Sequence, residues 1–177
     1  MKSYLEISVP LRYDDSWFKE LRTVCHDLPV KWQTGYYHIT LAFIDETPEN
    51  VDLLPILDKH LDALFAPSLL FDKLDVFTAH SGMHIINLTT NSVPQDFSLV
   101  INNTRADMKA VGCRIDSSFR LHVTLERVIG DNLDVATIQG IVAKIQLPVL
   151  LYNLTNVDYR EFRGKILYKT KLMNKRL

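Results

Sequence analysis

The sequence predicts an α+β fold of two lobes, in which antiparallel sheets flanked by helices enclose a central cleft. Segments rich in strand-forming residues alternate with segments whose apolar residues recur at helical spacing. The order strand, helix, strand, helix, strand occurs twice, and each occurrence contains one His-x-Thr pattern within a strand. We therefore expect residues 1–177 to form a single two-lobed domain, with sequence halves of about 1–80 and 81–177.

The first half contains three predicted strands and two predicted helices. Asp14-Asp15-Ser16 supplies N-cap residues for the first helix, and Thr47-Pro48-Glu49 places a proline in the first turn of the second. The strands are predicted from their β-branched and aromatic content. In chain order we predict a strand at 4–11, a helix at 17–25, a strand at 36–44, a helix from 47 with an apolar stripe at Val51, Leu54, Leu57, Leu61 and Leu64, and a strand at 68–77.

The second half repeats this order and then adds two strands. A helix is predicted from about Gln95, and Gly112 is expected to end it because glycine readily adopts the left-handed conformation that follows many helices. The remaining predicted elements are strands at 83–89 and 119–129, a helix at 134–145, and strands at 149–157 and 165–171 with a polar turn at 159–164 between them.

Composition narrows the classes of function. The formal net charge is −1, whereas proteins that hold long nucleic acids carry a strongly basic face. We therefore expect no extended nucleic-acid footprint, whereas a small anionic substrate such as a nucleotide, or the end of an RNA, is compatible with this charge. No apolar run is long enough to cross a bilayer, so no membrane association is expected. Two cysteines and the lack of an apolar signal segment at the start favour a cytoplasmic setting, and we expect a monomer.

The two His-x-Thr patterns occur in similar surroundings. One segment is Tyr36-Tyr37-His38-Ile39-Thr40-Leu41, and the other is Arg120-Leu121-His122-Val123-Thr124-Leu125. Each pattern is embedded in apolar residues of strand-forming type, once per half of the chain. A single His-x-Thr is typical of many ordinary strands, but its repetition in matching strands indicates a shared site.

Alternation along a strand predicts how these side chains are arranged. Residues two apart point to the same face, so His38 shares a face with Thr40, and His122 shares one with Thr124. A polar pair on a buried strand is costly to hide, and a shared cleft would satisfy both pairs. Strict alternation also turns Tyr37, Ile39, Leu41 and Phe43 to the opposite face of the first strand, and groups Arg120, His122, Thr124 and Glu126 on the second.

Two histidines and two threonines suit the cleavage of a phosphodiester. In-line displacement at phosphorus needs a base on the entering oxygen and an acid on the leaving oxygen, and imidazole serves in either form near neutral pH. We therefore predict His38 and His122 as the acid–base pair, with either one as the base. The hydroxyls of Thr40 and Thr124 are predicted to hold the non-bridging phosphate oxygens.

The paired strands resemble those of the 2H phosphoesterase superfamily, which includes the 2′-5′ RNA ligase family and the cyclic phosphodiesterases. Tyr4 to Pro10 resembles the first strand of that family, Phe119 to Arg127 its second motif, and Leu150 to Tyr168 its closing hairpin. The resemblance implies a two-lobed fold with a central cleft, and action on 2′,3′-cyclic phosphates or 2′-5′-linked ends. It also implies catalytic roles for His38, Thr40, His122 and Thr124.

Three further residues are candidates for substrate contact. Arg120 lies on the predicted face of His122, and Tyr36 offers an aromatic ring on which a base can stack. Arg127 follows the second motif, but strict alternation turns it away from His122 unless a β-bulge intervenes.

We expect neither a metal nor a cofactor. The segment His80-Ser81-Gly82-Met83-His84 contains two histidines, but no nearby Cys, Asp or Glu completes a zinc set of three or four ligands. The leading prediction is hydrolysis of a cyclic or 2′-5′ phosphodiester. Three alternatives stay open: an RNA ligase with the same site, a nucleotide- or RNA-end-binding module without turnover, and a metal-dependent hydrolase that a chelator would inactivate.

Overall fold

The computed structural model describes residues 2–62, 64, 66–79, 81–129 and 133–172. Within these residues there are four helices and eleven strands, so the predicted α+β class is confirmed. The helices are α1 (Ser16–Val24), α2 (Leu54–Leu61), α3 (Gln95–Ala110) and α4 (Val135–Val142). The strands are β1 (Ser3–Val9), β2 (Val30–Trp32), β3 (Tyr37–Glu46), β4 (Ser68–Phe71), β5 (Lys73–Thr78), β6 (His84–Thr89), β7 (Arg114–Ile115), β8 (Val123–Val128), β9 (Leu150–Asn153), β10 (Asn156–Glu161) and β11 (Ile166–Lys171).

The main sheet places the two His-x-Thr strands side by side at its centre. Its order is β11-β10-β1-β3-β8-β6-β5, with β7 added to β3 and β2 added to β8, and its paired strands run antiparallel. We call β1, β3, β10 and β11 the His38 side of the sheet, and β5, β6 and β8 the His122 side. Both sides contain strands from both halves of the chain, so strand pairing crosses the sequence division near residue 80.

The apolar faces of the helices and the sheet form one core. Each helix buries a stripe at helical spacing, as α3 does with Phe97, Ile101 and Met108. These side chains belong to the same buried cluster as Ile39 of β3 and Val123 of β8. Burial of this apolar surface is the main favourable term in folding, and it fixes which face of the central strands stays available for polar groups.

The second helix begins later than predicted. Thr47-Pro48-Glu49 was expected to start it, but α2 begins at Leu54, with Pro55 in its first turn. A helix that started near residue 48 would carry Pro55 in its interior, where proline removes a hydrogen bond and clashes with the preceding turn. The apolar stripe shifts accordingly, so Leu53 is buried and Leu54 is exposed.

Two of the predicted strands are each divided into two. The segment 68–77 forms β4 and β5, separated at Asp72, and the segment 149–157 forms β9 and the start of β10, separated at Leu154 and Thr155. The first member of each pair joins the other in a separate two-stranded sheet, β4 with β9. The second member of each pair joins the main sheet. Both segments are rich in strand-forming residues throughout, so their composition does not show the residue at which the chain passes from one sheet to the other.

A carboxyl group lies inside the core. Glu126 of β8 is fully buried, and neither of its carboxyl oxygens has a hydrogen-bond partner among the described residues. Burial raises the pKa of Glu126 to about 8, with the weakly donating Cys25 thiol beside it. The same burial, together with Glu126, raises the pKa of Cys25 to about 12. Glu126 is therefore protonated at neutral pH.

This carboxyl group makes stability depend on pH. The unfolded chain releases the Glu126 proton near the ordinary pKa of 4.5, and the folded chain holds it up to about pH 8. The free energy of unfolding therefore falls as pH rises between these values, by at most about 1.4 kcal/mol per pH unit from this residue. We expect Glu126→Gln to remove this dependence of the free energy of unfolding on pH and to be more stable than the wild type at pH 8. Urea unfolding at several pH values measures both effects. Glu20→Gln, at an exposed position of α1, is the control and should keep the wild-type slope. If the free energy of unfolding of Glu126→Gln changed with pH as it does in the wild type, the claim that Glu126 is a buried, neutral carboxyl group would be wrong.

Candidate active site

One registered pair joins the two central strands. Ile39 of β3 lies opposite Val123 of β8, and both side chains are fully buried. In an antiparallel pair the neighbours on each side are then also opposite each other, which sets His38 against Thr124 and Thr40 against His122. These four side chains share the face that is turned away from the core, where all four are partly buried. The structure thus brings the four predicted residues together.

The second histidine lies just before its strand, not within it. A strand was predicted from 119, but β8 begins at Val123, and residues 119–122 have no regular structure. The irregular backbone lets His122 Nδ1 donate a hydrogen bond to the carbonyl oxygen of Arg120, at 2.9 Å. Because a carbonyl only accepts, this bond keeps a proton on Nδ1 and leaves Nε2 for another partner.

Each His-x-Thr pattern is followed by a β-bulge. On β3 the pairing with β1 passes from Thr40 to Ala42, so Leu41 is an extra residue. On β8 the pairing with β6 passes from Thr124 to Glu126, so Leu125 is an extra residue. A bulge shifts the alternation of all later side chains by one position.

The bulges overturn three assignments made by strict alternation. Phe43 was predicted to face the core but lines the cleft, and Glu126 was predicted to share the face of His122 but is buried in the core. Arg127 is turned to the cleft face, where its charge acts on His38 and its guanidinium lies 3.4 Å from Gln33 Oε1. The bulge that the sequence analysis left open for Arg127 is therefore present.

A buried arginine supports the first bulge. Arg105 of α3 donates to the carbonyl oxygen of Leu41 at 2.8 Å and to the Asp116 carboxylate at 3.0 Å. The same carboxylate accepts a hydrogen bond from the backbone N–H of Phe43 at 2.9 Å. Sequence reasoning missed Arg105, although a signal exists: it is a charged residue on the helix face that buries Phe97, Ile101 and Met108.

A cavity of about 600 Å³ lies beside His122. Its walls include two aromatic rings and several polar groups, among them Phe43, Phe77, Ser117, Ser118, Arg120 and Thr124. The guanidinium of Arg120 lies 4.3 Å from the centre of the Phe77 ring and 3.0 Å from the Asp75 carboxylate. Arg120 is thus placed at the cleft, as predicted, but with its charge paired.

His38 lies in a different environment. Its ring is stacked with those of Tyr4 and Tyr36, whose centres lie 6.0 and 5.4 Å away. Its Nε2 lies 3.6 Å from a carboxylate oxygen of Glu6, which is fully buried. Tyr36 donates its hydroxyl to Glu6 at 2.6 Å, and Arg160 donates at 3.4 Å. We call Tyr4, Glu6, Tyr36, His38 and Arg160 the His38 cluster.

The His38 cluster contains residues that sequence reasoning did not select. Tyr4 and Glu6 lie on β1, and Arg160 lies on β10. An ionisable Glu6 within the apolar strand Tyr4-Leu5-Glu6-Ile7 was a usable signal, because such a residue needs a partner when it is buried. The position of Arg160 depends on pairing between the two ends of the chain and has no local signal.

Burial sets the protonation of both histidines. It lowers the pKa of His38 to about 4, and the nearby positive charges of His122, Arg127 and Arg160 act in the same direction. Burial also lowers the pKa of His122, but there the hydrogen bond to the Arg120 carbonyl acts in the opposite direction. Both imidazoles are therefore neutral at neutral pH, and at His122 the hydrogen bond to the Arg120 carbonyl favours the protonated form.

Within the part of the chain that the structure describes, no cluster of three or more His, Cys, Asp or Glu side chains is arranged to bind a metal ion. Of the two histidines considered for such a site, His80 lies outside the described residues. His84 donates to the carbonyl oxygen of Leu133 at 2.7 Å and contacts the Thr78 hydroxyl at 3.0 Å. None of the described helices is both long and apolar enough to span a membrane.

The fold is similar to those of several solved structures, one of which is described as a phosphoesterase. A crystal structure described as a phosphoesterase matches at a TM-score of 0.63 with 17% identity, covering 98% of this chain and 99% of that chain. Escherichia coli LigT complexed with 3′-AMP matches at 0.61 with 17% identity, covering 97% and 99%. TT0787 of Thermus thermophilus matches at 0.61 with 17% identity, covering 99% and 100%. The fold expected from the paired motifs is therefore confirmed. At the level of sequence, no family model and no curated protein matches.

The support of the first bulge can be tested by removing Arg105. We expect Arg105→Met to lower the free energy of unfolding by about 3 kcal/mol, because the Leu41 carbonyl and the Asp116 carboxylate lose their buried partner. Arg114→Met is the matched control, since Arg114 also pairs with an aspartate, Asp45, but is largely exposed and should cost under about 1 kcal/mol. Urea unfolding of both variants measures the difference. Equal losses in the free energy of unfolding would show that the contacts of Arg105 contribute no more than a surface ion pair does.

Proposed function

We propose that this chain is a metal-independent phosphodiesterase of the 2H type. It hydrolyses 2′,3′-cyclic phosphate or 2′-5′ phosphodiester bonds in nucleotides or at RNA ends. His38 is the general base, His122 is the general acid, and Thr40 and Thr124 bind the phosphate. The observation that carries this proposal is the pairing of Ile39 with Val123, which sets each imidazole opposite a threonine of the neighbouring strand on one polar face.

The register leaves room for a phosphoryl group between the imidazoles. His38 and His122 are diagonal neighbours across the strand pair, and such positions are roughly 7–8 Å apart between Cα atoms. Thr40 and Thr124 occupy the other diagonal. A phosphorus atom near the centre therefore has an imidazole on two opposite sides, as in-line displacement requires, and hydroxyl donors for its non-bridging oxygens.

The reaction balances with these groups alone. His38 takes a proton from water as the water oxygen forms a bond to phosphorus. The bond from phosphorus to the leaving ribose oxygen breaks, and His122 donates a proton to that oxygen. The product is a phosphomonoester, and exchange with solvent returns His38 to its neutral form and His122 to its protonated form. The causes of the two pKa shifts support this assignment: burial and three nearby positive charges all lower the pKa of His38, whereas at His122 the hydrogen bond to the Arg120 carbonyl opposes the effect of burial.

Charge and structural likeness support a phosphate-bearing substrate. The positive charges of Arg127 and Arg160 act at His38, and Arg120 lines the cavity beside His122. Arg120 and Arg160 are paired with Asp75 and Glu6, whereas the nearest polar partner of Arg127 is the neutral Gln33, so Arg127 offers the cleft a positive charge for a phosphate. Escherichia coli LigT has been crystallised with 3′-AMP, with NADP+, with ATP and with phosphate. Those complexes favour a nucleotide as the substrate here.

Turnover in the presence of EDTA tests the proposal. The protein would be incubated with 2′,3′-cyclic nucleotides, and with short RNAs that end in a cyclic phosphate or contain 2′-5′ linkages. We expect product formation that EDTA does not reduce, and losses of about 10²- to 10⁴-fold in His38→Ala and in His122→Ala. His26→Ala, at an exposed histidine of the surface, is the control and should keep full activity. Activity that disappears on chelation, or survives in both variants, would refute the two-histidine mechanism.

The pH dependence of kcat/KM gives a second test. Activity is lost as pH falls toward the His38 pKa of about 4, because the base becomes protonated, and as pH rises through the lowered pKa of His122, because the acid loses its proton. We therefore expect a maximum on the acid side of neutrality, between about pH 4 and the ordinary imidazole value of 6.5. Initial rates across this range measure it. A maximum above about pH 7 would contradict the assignment of the two imidazoles.

A further inference from the structure

The general acid of the proposed mechanism lies on backbone outside the strands. The ladder between β6 and β8 ends at the pair Leu88 and Val123. β8 itself begins at Val123, and residues 119–122, which include His122, have no regular structure. Within a regular strand the backbone hydrogen bonds of the ladder fix the direction of each side chain. At His122 this direction has to be fixed in another way.

The ring of His122 is held by a hydrogen bond to its own backbone. Its Nδ1 donates to the carbonyl oxygen of Arg120 at 2.9 Å. The chain between this oxygen and the ring passes through the peptide that joins Leu121 to His122. Because a peptide is planar and turns only at its two flanking dihedral angles, the orientation of this one peptide sets the direction of the His122 side chain relative to Arg120. The hydrogen bond at Nδ1 therefore depends on it.

The peptide between Leu121 and His122 is held by Thr89. The Oγ1 of Thr89 donates to the carbonyl oxygen of Leu121 at 2.6 Å, in a buried hydrogen bond. Thr89 is the last residue of β6, and its backbone is still paired with Lys73 of β5, so the hydroxyl is presented from a regular strand. The side chain of Leu121 is packed in the apolar core. The peptide is thus fixed by a hydrogen bond at its oxygen and by packing of the adjoining side chain.

We propose that Thr89 is a positioning residue for the general acid His122. By fixing the carbonyl group of Leu121, its hydroxyl keeps Nδ1 of His122 within reach of the Arg120 carbonyl. The proton on Nδ1 then stays in place, and Nε2 is the nitrogen that donates a proton to the leaving oxygen. Thr89 is not among the described residues that line the cavity beside His122, so it acts through the backbone. This inference rests on the proposed function of the cleft.

The hydrogen bond at Nδ1 matters most when His122 is protonated. The imidazolium has two N–H donors, and while one faces the leaving oxygen the other needs an acceptor in a buried site. The Arg120 carbonyl is that acceptor, and it favours the protonated form against the effect of burial. The guanidinium of Arg120, although paired with Asp75 at 3.0 Å, disfavours that form. Without the carbonyl, burial and this positive charge would act on the acid unopposed.

The tautomer of His122 tests the proposal without any substrate. At about pH 8, where imidazole is neutral, we expect ¹H–¹⁵N spectra to show one form, with the proton on Nδ1. Thr89→Val keeps the shape of the side chain but removes the hydroxyl, and should show both neutral forms. Thr104→Val is the matched control, because Thr104 is also buried and donates its hydroxyl to a backbone carbonyl, that of Val100, at 2.8 Å. It should keep the wild-type form. A single Nδ1 form in Thr89→Val would overturn the proposal.

Kinetics show whether this positioning serves the reaction. We expect Thr89→Val to lower kcat at least ~10-fold with little change in KM, because substrate still binds but the proton donor is misdirected. Thr89→Ser keeps a hydroxyl at the same place and should restore most of kcat together with the Nδ1 form. Thr104→Val should keep the wild-type kcat. Equal losses of kcat in the two valine variants, or a kcat of Thr89→Ser as low as that of Thr89→Val, would overturn the proposal.

Failure of this proposal can be told apart from failure of the proposed function. A wild-type protein that turns over no phosphodiester would refute the proposed function, and the spectra would still decide whether Thr89 holds the His122 ring. A wild-type protein that turns over substrate, while Thr89→Val keeps both the Nδ1 form and kcat, would refute the role of Thr89 alone. If Thr89→Val does not fold, Thr89→Ala replaces it with the same expectations, because it removes the hydroxyl without placing a methyl group against the Leu121 carbonyl.

Discussion

The whole arrangement depends on one pair of buried side chains, Ile39 and Val123, at which the two central strands meet. Their burial turns the residues on either side to the opposite face, and antiparallel register then sets each histidine against a threonine. Beyond this pair the strands separate, because β3 continues with β7 and β8 continues with β2. The core that stabilises the fold and the polar face that holds both histidines are therefore two sides of a single contact.

Local irregularities change which side chains lie on the cleft face beside this contact. The bulge at Leu41 interrupts regular pairing and turns Phe43 to the cleft face. The bulge at Leu125 does the same for Arg127. The cost is an unpaired backbone group, and for Leu41 the buried guanidinium of Arg105 supplies the missing partner. The identity of a helix residue thus bears on the geometry of a strand in the cleft, although its side chain does not touch the cleft itself.

The sequence was sufficient for those features that follow from local patterns. Alternation placed His38, Thr40 and Thr124 on one face, and Gly112 marked the end of α3 because glycine readily adopts the left-handed conformation. The bulges could not be predicted, because Leu41 and Leu125 look like ordinary strand residues, and so Phe43 and Glu126 were assigned to the wrong faces. The late start of α2 could have been found from Pro55. The contacts of Arg105 and Arg160 could not, because they join residues far apart in the chain.

Pairing across the division near residue 80 has a consequence for how the protein assembles. β1 lies between β3 and β10, so Tyr4 and Arg160 are partners although almost the whole chain separates them. Contacts of such long sequence separation close late and slow folding, because the loop entropy is lost before the contact forms. During synthesis His38 is therefore made early, but Arg160 comes to lie beside it only after β10 has been synthesised and has paired with β1. Until then β1 has an unpaired edge in the nascent protein. Because an unpaired strand edge can pair with another chain, this edge is a site at which aggregation starts and at which chaperone binding would protect the chain.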